Sequence, residues 1–326
     1  MKPVICNYYL TFRCNARCGF CTIWKDTSIP ASQEAPPSVV NGNLRDVKRA
    51  GVKIVDFTGG EPLLYEGFPE VLSQAKKIGL RTTVTTNGIC YPERASELRG
   101  HIDILQFSID AAAKEEHDRI KGIASFDNVM KSVETARRLG ERPTLIHTVT
   151  DENLQSVPDV ISLARSMKIP LFLNPCFTYP GNRGLSREGA VMLRKMANGK
   201  GITIDSGYLK FYIDGGNRRR KPRCLAVSST IVISPDDKLI LPCFHFNRRS
   251  IPIQGKLQDI LRSPEVYEEK SQEGTHPFCE GCTVYCYMRA SIFRKFDRYF
   301  LLSFFSACKY LYEYYRSPVY RGNSGL

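Results

Sequence analysis

Near the start of the chain, Cys14, Cys18 and Cys21 lie within LTFRCNARCGFCTIW, residues 10–24, with three residues between the first pair and two between the second. Thiolates at that spacing can hold three irons of a [4Fe–4S] cube, for which cysteine is the usual ligand. No fourth cysteine follows at matching spacing, so one iron keeps an open coordination position. An open metal position does chemistry, whereas a closed one is structural or carries electrons. Zinc is the competing occupant. Zinc motifs pair C-x₂₋₄-C with a second pair of ligands, and the neighbouring sequence supplies none.

CxxxCxxC with an aromatic residue, Phe20, before the last cysteine resembles the radical S-adenosylmethionine (SAM) superfamily. The resemblance implies that SAM chelates the open iron through its amino and carboxylate groups. An electron from the cube then splits the sulfonium, and the resulting 5′-deoxyadenosyl radical abstracts hydrogen from an unactivated carbon. On this reading Cys14, Cys18 and Cys21 are both metal ligands and the catalytic set, and Phe20 is a cofactor neighbour. The resemblance also implies an external electron donor of flavodoxin or ferredoxin type.

Further motifs follow at strand ends. In Gly59-Gly60-Glu61-Pro62 the glycines permit positive φ and leave backbone groups accessible to a ligand, and the carboxylate can complement an ammonium. In the family this segment contacts the amino group of SAM; alone it would be an ordinary Gly-Gly turn. Thr85-Thr86-Asn87-Gly88 is a turn signal, and the resemblance makes Thr86 and Asn87 part of the SAM pocket. Ser108 and Asp110 alternate with apolar neighbours and share one side of their strand. Relatives use that serine, and often the acid, near the SAM carboxylate and ribose. HDRIKG, residues 117–122, resembles a segment that usually ends Arg-Gly; Lys121 stands in the arginine's place and offers a point charge rather than a bidentate fork. Asn153 matches a position that contacts SAM ribose, and it is equally suited to cap a helix beginning at Leu154.

A second cysteine group comprises Cys224, Cys243, Cys279, Cys282 and Cys286. STIVISPDDKLILPC reads as two short strands around a turn at Pro235-Asp236-Asp237, a hairpin on which a metal can be clamped. The group resembles the twitch module, a shortened form of the seven-cysteine SPASM module. Five cysteines imply one auxiliary [4Fe–4S] cluster, held by Cys224, Cys243, Cys279 and Cys282, with Cys286 as substitute or neighbour. A structural zinc on the same four thiolates stays open. Cys6, Cys90, Cys176 and Cys308 are isolated, and buried apolar cysteine is the default for each.

The elements that must position these residues alternate regularly. Strands are predicted at 4–11, 53–58, 81–86, 102–109, 143–149 and 170–174. Between them lie helices from Pro37 to near Gly51 and at 67–78, 92–99, 114–120, 126–139 and 154–167. This is the pattern of a parallel α/β architecture. The resemblance makes it a partial (β/α)6 TIM-like barrel over residues 1–175, with function at the C-terminal strand ends. A transition segment, 176–223, holds a loop at Pro180–Gly184, a helix at 186–197, a strand at 201–205 and the basic run Arg218-Arg219-Arg220-Lys221. That run could touch phosphates or simply be solvated. Residues 224–290 form the SPASM/twitch-like unit, and 291–326 an aromatic, basic C-terminal helix.

The whole-chain balance narrows the partners. A formal charge of +13 favours an anionic partner such as nucleic acid, a phospholipid surface or an acidic substrate. Twelve cysteines without a signal peptide point to a reducing cytoplasm rather than to disulfides. No apolar run reaches transmembrane length. In the tail, a helix over 292–315 would align Phe293, Phe296, Phe300, Phe304, Ala307, Leu311 and Tyr314, widened by Ile292, Tyr299, Leu302, Phe305 and Tyr315. Arg294, Lys295, Arg298, Lys309 and Arg316 accompany it, so peripheral contact at the inner membrane face competes with packing on the barrel. The expected activity is hydrogen abstraction from a hydrophobic substrate, a lipid or tetrapyrrole pigment, with the auxiliary cluster aiding oxidation. A peptide-modifying maturase, an RNA-modifying enzyme and a non-catalytic Fe–S or zinc protein are the alternatives, with nucleic acid the less favoured partner.

Overall fold

A computed structural model describes residues 2–179, 182–197 and 199–316. The alternation of the first half is realised as β1 (Ile5–Thr11), α1 (Pro37–Ala50), β2 (Ile54–Gly59), α2 (Phe68–Lys77), β3 (Arg81–Thr86), α3 (Tyr91–Leu98) and β4 (Ile104–Ser108). It continues through α4 (Lys114–Lys121), α5 (Phe126–Arg138), β5 (Pro143–Val149), α6 (Val157–Ser166), β6 (Leu171–Pro175), α7 (Arg187–Met196) and β7 (Ile202–Thr203). The remainder is α8 (Ser206–Ile213), α9 (Ala226–Ser229), β8 (Thr230–Ile233), β9 (Lys238–Cys243), β10 (Phe246–Pro252), α10 (Leu257–Ile260), α11 (Pro264–Ser271), α12 (Tyr285–Ile292) and α13 (Arg298–Arg316).

All ten strands form one sheet in the order β10-β9-β8-β1-β2-β3-β4-β5-β6-β7. From β8 to β7 every pairing is parallel, and only β9 and β10 run antiparallel. The expected hairpin at 230–243 therefore exists, but β8 also extends the barrel sheet by pairing with β1. β10, α8, α11 and α12 were not foreseen, because short segments flanked by loops carry little periodicity.

Strand alternation gives the barrel its two faces. Val55 and Phe57 of β2, Val84 of β3, Leu105 and Phe107 of β4 and Leu171 and Leu173 of β6 are buried under the helices. Their alternates face the lumen half-buried: Asp56 and Thr58, Thr83 and Thr85, Gln106 and Ser108, Ile146 and Thr148, Phe172 and Asn174. Helices α1, α2 and α5 cover the outer face with buried stripes such as Val40, Leu44 and Val47 of α1, the amphipathic arrangement expected of surface helices. α12 packs on α8 and α9. Tyr285 packs on Phe172 and Tyr208, the Phe244 amide donates to Tyr287 Oη at 2.8 Å, and the Leu225 amide donates to Ser291 Oγ at 2.9 Å.

The tail differs from expectation. The single helix predicted over 292–315 is broken: α12 ends at Ile292 and α13 begins at Arg298. Asp297 makes the break by accepting from the Tyr299 and Phe300 amides and pairing with Arg223. α13 then lies on α8, with Ser303 Oγ donating to Asp205 at 2.5 Å and Lys309 Nζ donating to the Gly199 and Ile202 carbonyls at 3.0 Å. Among the described residues, no helix is long and apolar enough to cross a membrane. The side chains of Tyr314, Tyr315 and Arg316, Pro180 and Gly181 in the 180–184 loop, and residues 317–326 lie outside the described residues.

Candidate active site

The loop carrying Cys14, Cys18 and Cys21 leaves the C-terminal end of β1 and is gripped from three sides. At the end of β2, the Gly60 and Glu61 amides donate to the Thr11 and Arg13 carbonyls, each at 2.8 Å. A Cβ at Gly59, where φ is +137°, would sit 2.0 Å from Thr11 O, and one at Gly60 would sit 2.2 Å from Arg13 O. Only glycine permits that approach. The pair thus packs β2 onto the cysteine loop, and those two amides are not left open for a ligand. At the end of α4, the Arg17 amide donates to the Lys121 carbonyl at 2.7 Å, and Gly122 turns with φ of +67° against Arg17. At the tip of β3, Asn87 Nδ2 donates to Asn15 Oδ1 at 2.6 Å and stands 3.9 Å from Cys14 Sγ.

Glu61 is the hub of this grip. Its buried carboxylate accepts from Thr86 Oγ1 (2.8 Å), the Asn87 amide (2.8 Å) and the Leu63 amide (3.1 Å). Burial raises its pKa, and those hydrogen bonds oppose the shift. Thr86 is buried on Glu61 rather than turned to the lumen. Ser108 is lumen-facing and half-buried at the end of β4. Asp110 lies beyond the strand, buried, and pairs with Lys121 at 2.9 Å. The lysine thus has an internal partner, and its charge also reaches Cys18 and Cys14. Asn153 occupies the N-cap position of a short 3-10 turn, Leu154–Ser156, but its side chain makes no capping bond: its Oδ1 accepts from the Thr150 amide and its Nδ2 donates to the Thr148 carbonyl, bracing the end of β5.

The three thiols are half-buried, as is Phe20. Burial raises the Cys14 thiol and pushes the Cys18 thiol up to about 11, with Lys121 partly opposing. Thiols so held are protonated until a metal displaces the proton. The Ala16 amide already donates to Cys14 Sγ at 3.4 Å. Three soft donors on one clamped loop, with an amide donor and an ammonium beside them, fit an Fe–S cluster.

Cys224, Cys243, Cys279 and Cys282 line one cavity together with Ala226, His245, Phe246, Phe278 and Met288. Burial is the leading cause of the raised pKa of all four thiols, with Cys243 up to about 12 and Cys279 up to about 11. Cys286 does not join that cavity. It sits on α12 beside Asp56, where burial pushes its thiol up to about 12. Among the isolated cysteines, Cys6 and Cys176 are buried as expected, whereas Cys90 is half-buried under Asn15 and Cys308 is exposed.

An aromatic wall, unforeseen from sequence, connects the two cysteine groups. Phe12, two residues before Cys14, lies edge-on to Phe244, one residue after Cys243, at 5.6 Å. Tyr9 stacks on Phe244 at 4.1 Å, and His245 packs on Tyr179 at 4.6 Å and Phe177 at 5.3 Å. Burial lowers His245 to about 4, so its ring is neutral at pH 7. The only signal in the sequence was the clustering of Phe244, His245 and Phe246 directly after Cys243.

The sequence profile described as the radical SAM superfamily matches residues 8–164. A probable GTP 3′,8-cyclase of Sulfolobus acidocaldarius is 26% identical over 291 residues, covering 81% of this chain and 87% of that protein. An AdoMet-dependent heme synthase of Methanosarcina barkeri is 28% identical over 185 residues, 56% of this chain and 52% of that protein, so the chain spans about half of its length. In fold, the chain is similar to SuiB of Streptococcus suis bound to S-adenosylmethionine, with a TM-score of 0.65 and 16% identity over 91% of this chain and 73% of SuiB. Such enzymes use SAM and a [4Fe–4S] cluster. The three-cysteine loop, the GGEP strand end and the first five strands of the partial barrel all lie within the segment, residues 8–164, that matches the radical SAM superfamily or directly beside it.

Proposed function

We propose that this enzyme takes hydrogen from a planar, largely apolar substrate, of the tetrapyrrole or lipid class, bound against the aromatic wall between two cysteine centres. The observation that carries this reading is the Tyr9–Phe244 stack, with Phe12 and His245 beside it. Tyr9 and Phe12 are buried behind that wall, and the half-buried Phe244 and His245 are the rings that offer a planar ligand contact area at little entropy cost. The heme synthase relative acts on a substrate of that class, which supports the reading by analogy. SuiB, which has been solved with its precursor peptide, makes a peptide the alternative that the experiment must separate.

Cys14, Cys18 and Cys21 would hold the SAM-binding [4Fe–4S] cluster, which, with SAM bound, supplies a 5′-deoxyadenosyl radical. Glu61, Asn87 and Lys121 hold the shape of the loop that carries those ligands. Gly59, Gly60, Thr86, Ser108, Asp110 and Asn153 complete the candidate SAM environment. Cys224, Cys243, Cys279 and Cys282 would hold the auxiliary cluster. They line a shared cavity. Electrons would come from a flavodoxin or ferredoxin type of donor. The exposed apolar surface of the tail, with Phe296 just before α13 at 78% and Phe305 on it at 67%, supports peripheral contact with a lipid surface.

The test uses anaerobically reconstituted protein with dithionite as reductant, and reads 5′-deoxyadenosine by mass spectrometry. Wild type is expected to release it, and Cys14→Ala, Cys18→Ala and Cys21→Ala each to release none; normal turnover by any of the three removes the cluster assignment. In the same assay porphyrin carboxylates and lipids are expected to stimulate turnover. Stimulation by peptides alone would replace the proposed substrate class.

A further inference from the structure

The basic run left open between phosphate contact and solvation has a definite place in the fold. Asn217, immediately before it, is fully buried and is the knot between two loops. Its amide donates to the Cys282 carbonyl at 3.0 Å, and its carbonyl accepts from the Gly281 amide at 2.8 Å. Its Nδ2 donates to the Cys279 and Gly274 carbonyls, while its Oδ1 accepts from the Arg223 and Cys224 amides. One asparagine thus joins the chain at Cys224 to the chain at Cys279 and Cys282. Gly216, with φ of +74°, lets the loops touch, since a Cβ there would lie 2.6 Å from Gly281 O.

Arg218, Arg219, Arg220 and Lys221 project from this knot and are all exposed. Arg219 is held in place: its amide donates to Glu280 Oε2 at 2.9 Å and its Nε to the Thr275 carbonyl at 2.8 Å. Arg218 donates to the Asp214 carbonyl at 3.3 Å. Cys279 is half-exposed beneath them. Structural cations are normally dispersed or paired, whereas four consecutive exposed cations, anchored through Arg218 and Arg219 beside the loop that bears Cys279, make a local positive field. Such fields raise encounter rates with acidic partners and set their orientation.

We propose that Arg218, Arg219, Arg220 and Lys221 form a docking surface for an acidic one-electron carrier protein, held directly over the loop that bears Cys279 and Cys282. The inference rests on the reading of Cys224, Cys243, Cys279 and Cys282 as a cluster site. A protein carrier is favoured over RNA because the patch is one loop wide and covers the cysteine edge.

The experiment measures affinity of the full-length, reconstituted chain for an acidic flavodoxin by titration calorimetry at low and high salt. The triple charge reversal Arg218→Glu, Arg220→Glu and Lys221→Glu spares Arg219 and its structural bonds. A control reverses three exposed cations on the barrel, Arg81→Glu, Arg99→Glu and Lys131→Glu, for the same change in net charge. The patch reversal is expected to weaken binding by about tenfold or more at low salt, and the control to change it little. High salt is expected to bring wild type down towards the reversed variant. Equal loss in both variants, unchanged affinity in the patch variant, or no flavodoxin binding by wild type overturns the proposal. So does a single-stranded RNA oligonucleotide that displaces flavodoxin and is itself lost on patch reversal. Iron content and dithionite-driven SAM cleavage, read on the same samples, separate this outcome from a failure of the proposed function, because both should survive the reversal.

Discussion

Glu61 shows how a single buried carboxylate can brace a loop from inside the protein. Three donors from β3 and the turn after β2 converge on it inside the protein. Replacing Glu61 with Gln keeps its shape but turns an acceptor into a donor facing another donor. A buried mismatch of that kind costs about 1–3 kcal/mol, so Glu61→Gln should lower the unfolding midpoint and loosen iron retention at Cys14, Cys18 and Cys21; unchanged values for both would deny it the bracing role. His117 offers a pH test of the same neighbourhood. It is fully buried, with Nδ1 accepting from the Asp110 amide and Nε2 beside Ser125 Oγ. Burial, and then the Lys121 charge, lower it to about 4, with His147 adding to the shift and Asp110 and Asp118 opposing it. The unfolded chain protonates this ring near pH 6.5. Its stabilising contribution is therefore complete above pH 6.5 and declines as pH falls towards 4. The stability gap between wild type and His117→Gln should shrink by up to about 3 kcal/mol between pH 7.5 and 4 in chemical denaturation. A gap independent of pH would contradict the neutral buried ring.

At the scale of elements, α12 decides which cysteines can act together. Its face bearing Tyr285, Cys286 and Arg289 turns to the barrel side, towards Phe172 and Asp56. The preceding loop delivers Cys279 and Cys282 to the cavity shared with Cys224 and Cys243. Iron analysis should separate the two fates. Cys286→Ala is expected to keep both clusters, whereas Cys279→Ala with Cys282→Ala should lose about four irons, one cube. Loss of a cube in Cys286→Ala would place that residue among the ligands. Similar logic applies at the three-cysteine loop, where the GGEP turn, the β3 tip and the end of α4 hold one loop from three directions.

For the molecule as a whole, the C-terminal strands are not an appendage, because β8 pairs with β1 in the middle of the sheet. α13 is tied on as well, through Ser303, Lys309 and the Arg223–Asp297 pair. Removing it would expose α8, so the membrane question is better tested on the exposed apolar residues of α13 and of the segment just before it. Phe296, Leu301 and Phe305 are exposed at 78%, 41% and 67%. Changing all three to serine should leave the unfolding midpoint nearly unchanged, as surface substitutions usually do. Binding to vesicles containing phosphatidylserine is expected to fall several-fold in co-sedimentation, in line with loss of buried apolar area. Equal sedimentation of variant and wild type would leave α13 as a packing helix and remove the lipid surface from the list of partners.

The local chemistry was written in the chain itself. Cys14, Cys18 and Cys21 must share a loop because too few residues separate them to do otherwise, and the strands from Ile5 to Pro175 follow from runs of β-branched and apolar residues of the right length. Glycine at 59 and 60 was equally legible, though not its purpose, because close approach to the Thr11 and Arg13 carbonyls depends on which segment lies opposite. Only the tertiary structure decided that Asp110 neutralises Lys121, that Cys286 stands apart from the other four cysteines, and that Phe12 meets Phe244 across more than two hundred residues of sequence. It also decided that Asn217 pins the basic run over Cys279. Each of these is a pairing between distant segments. Propensity and periodicity describe what a segment does alone, whereas such pairings are set by strand order and by what packing leaves adjacent.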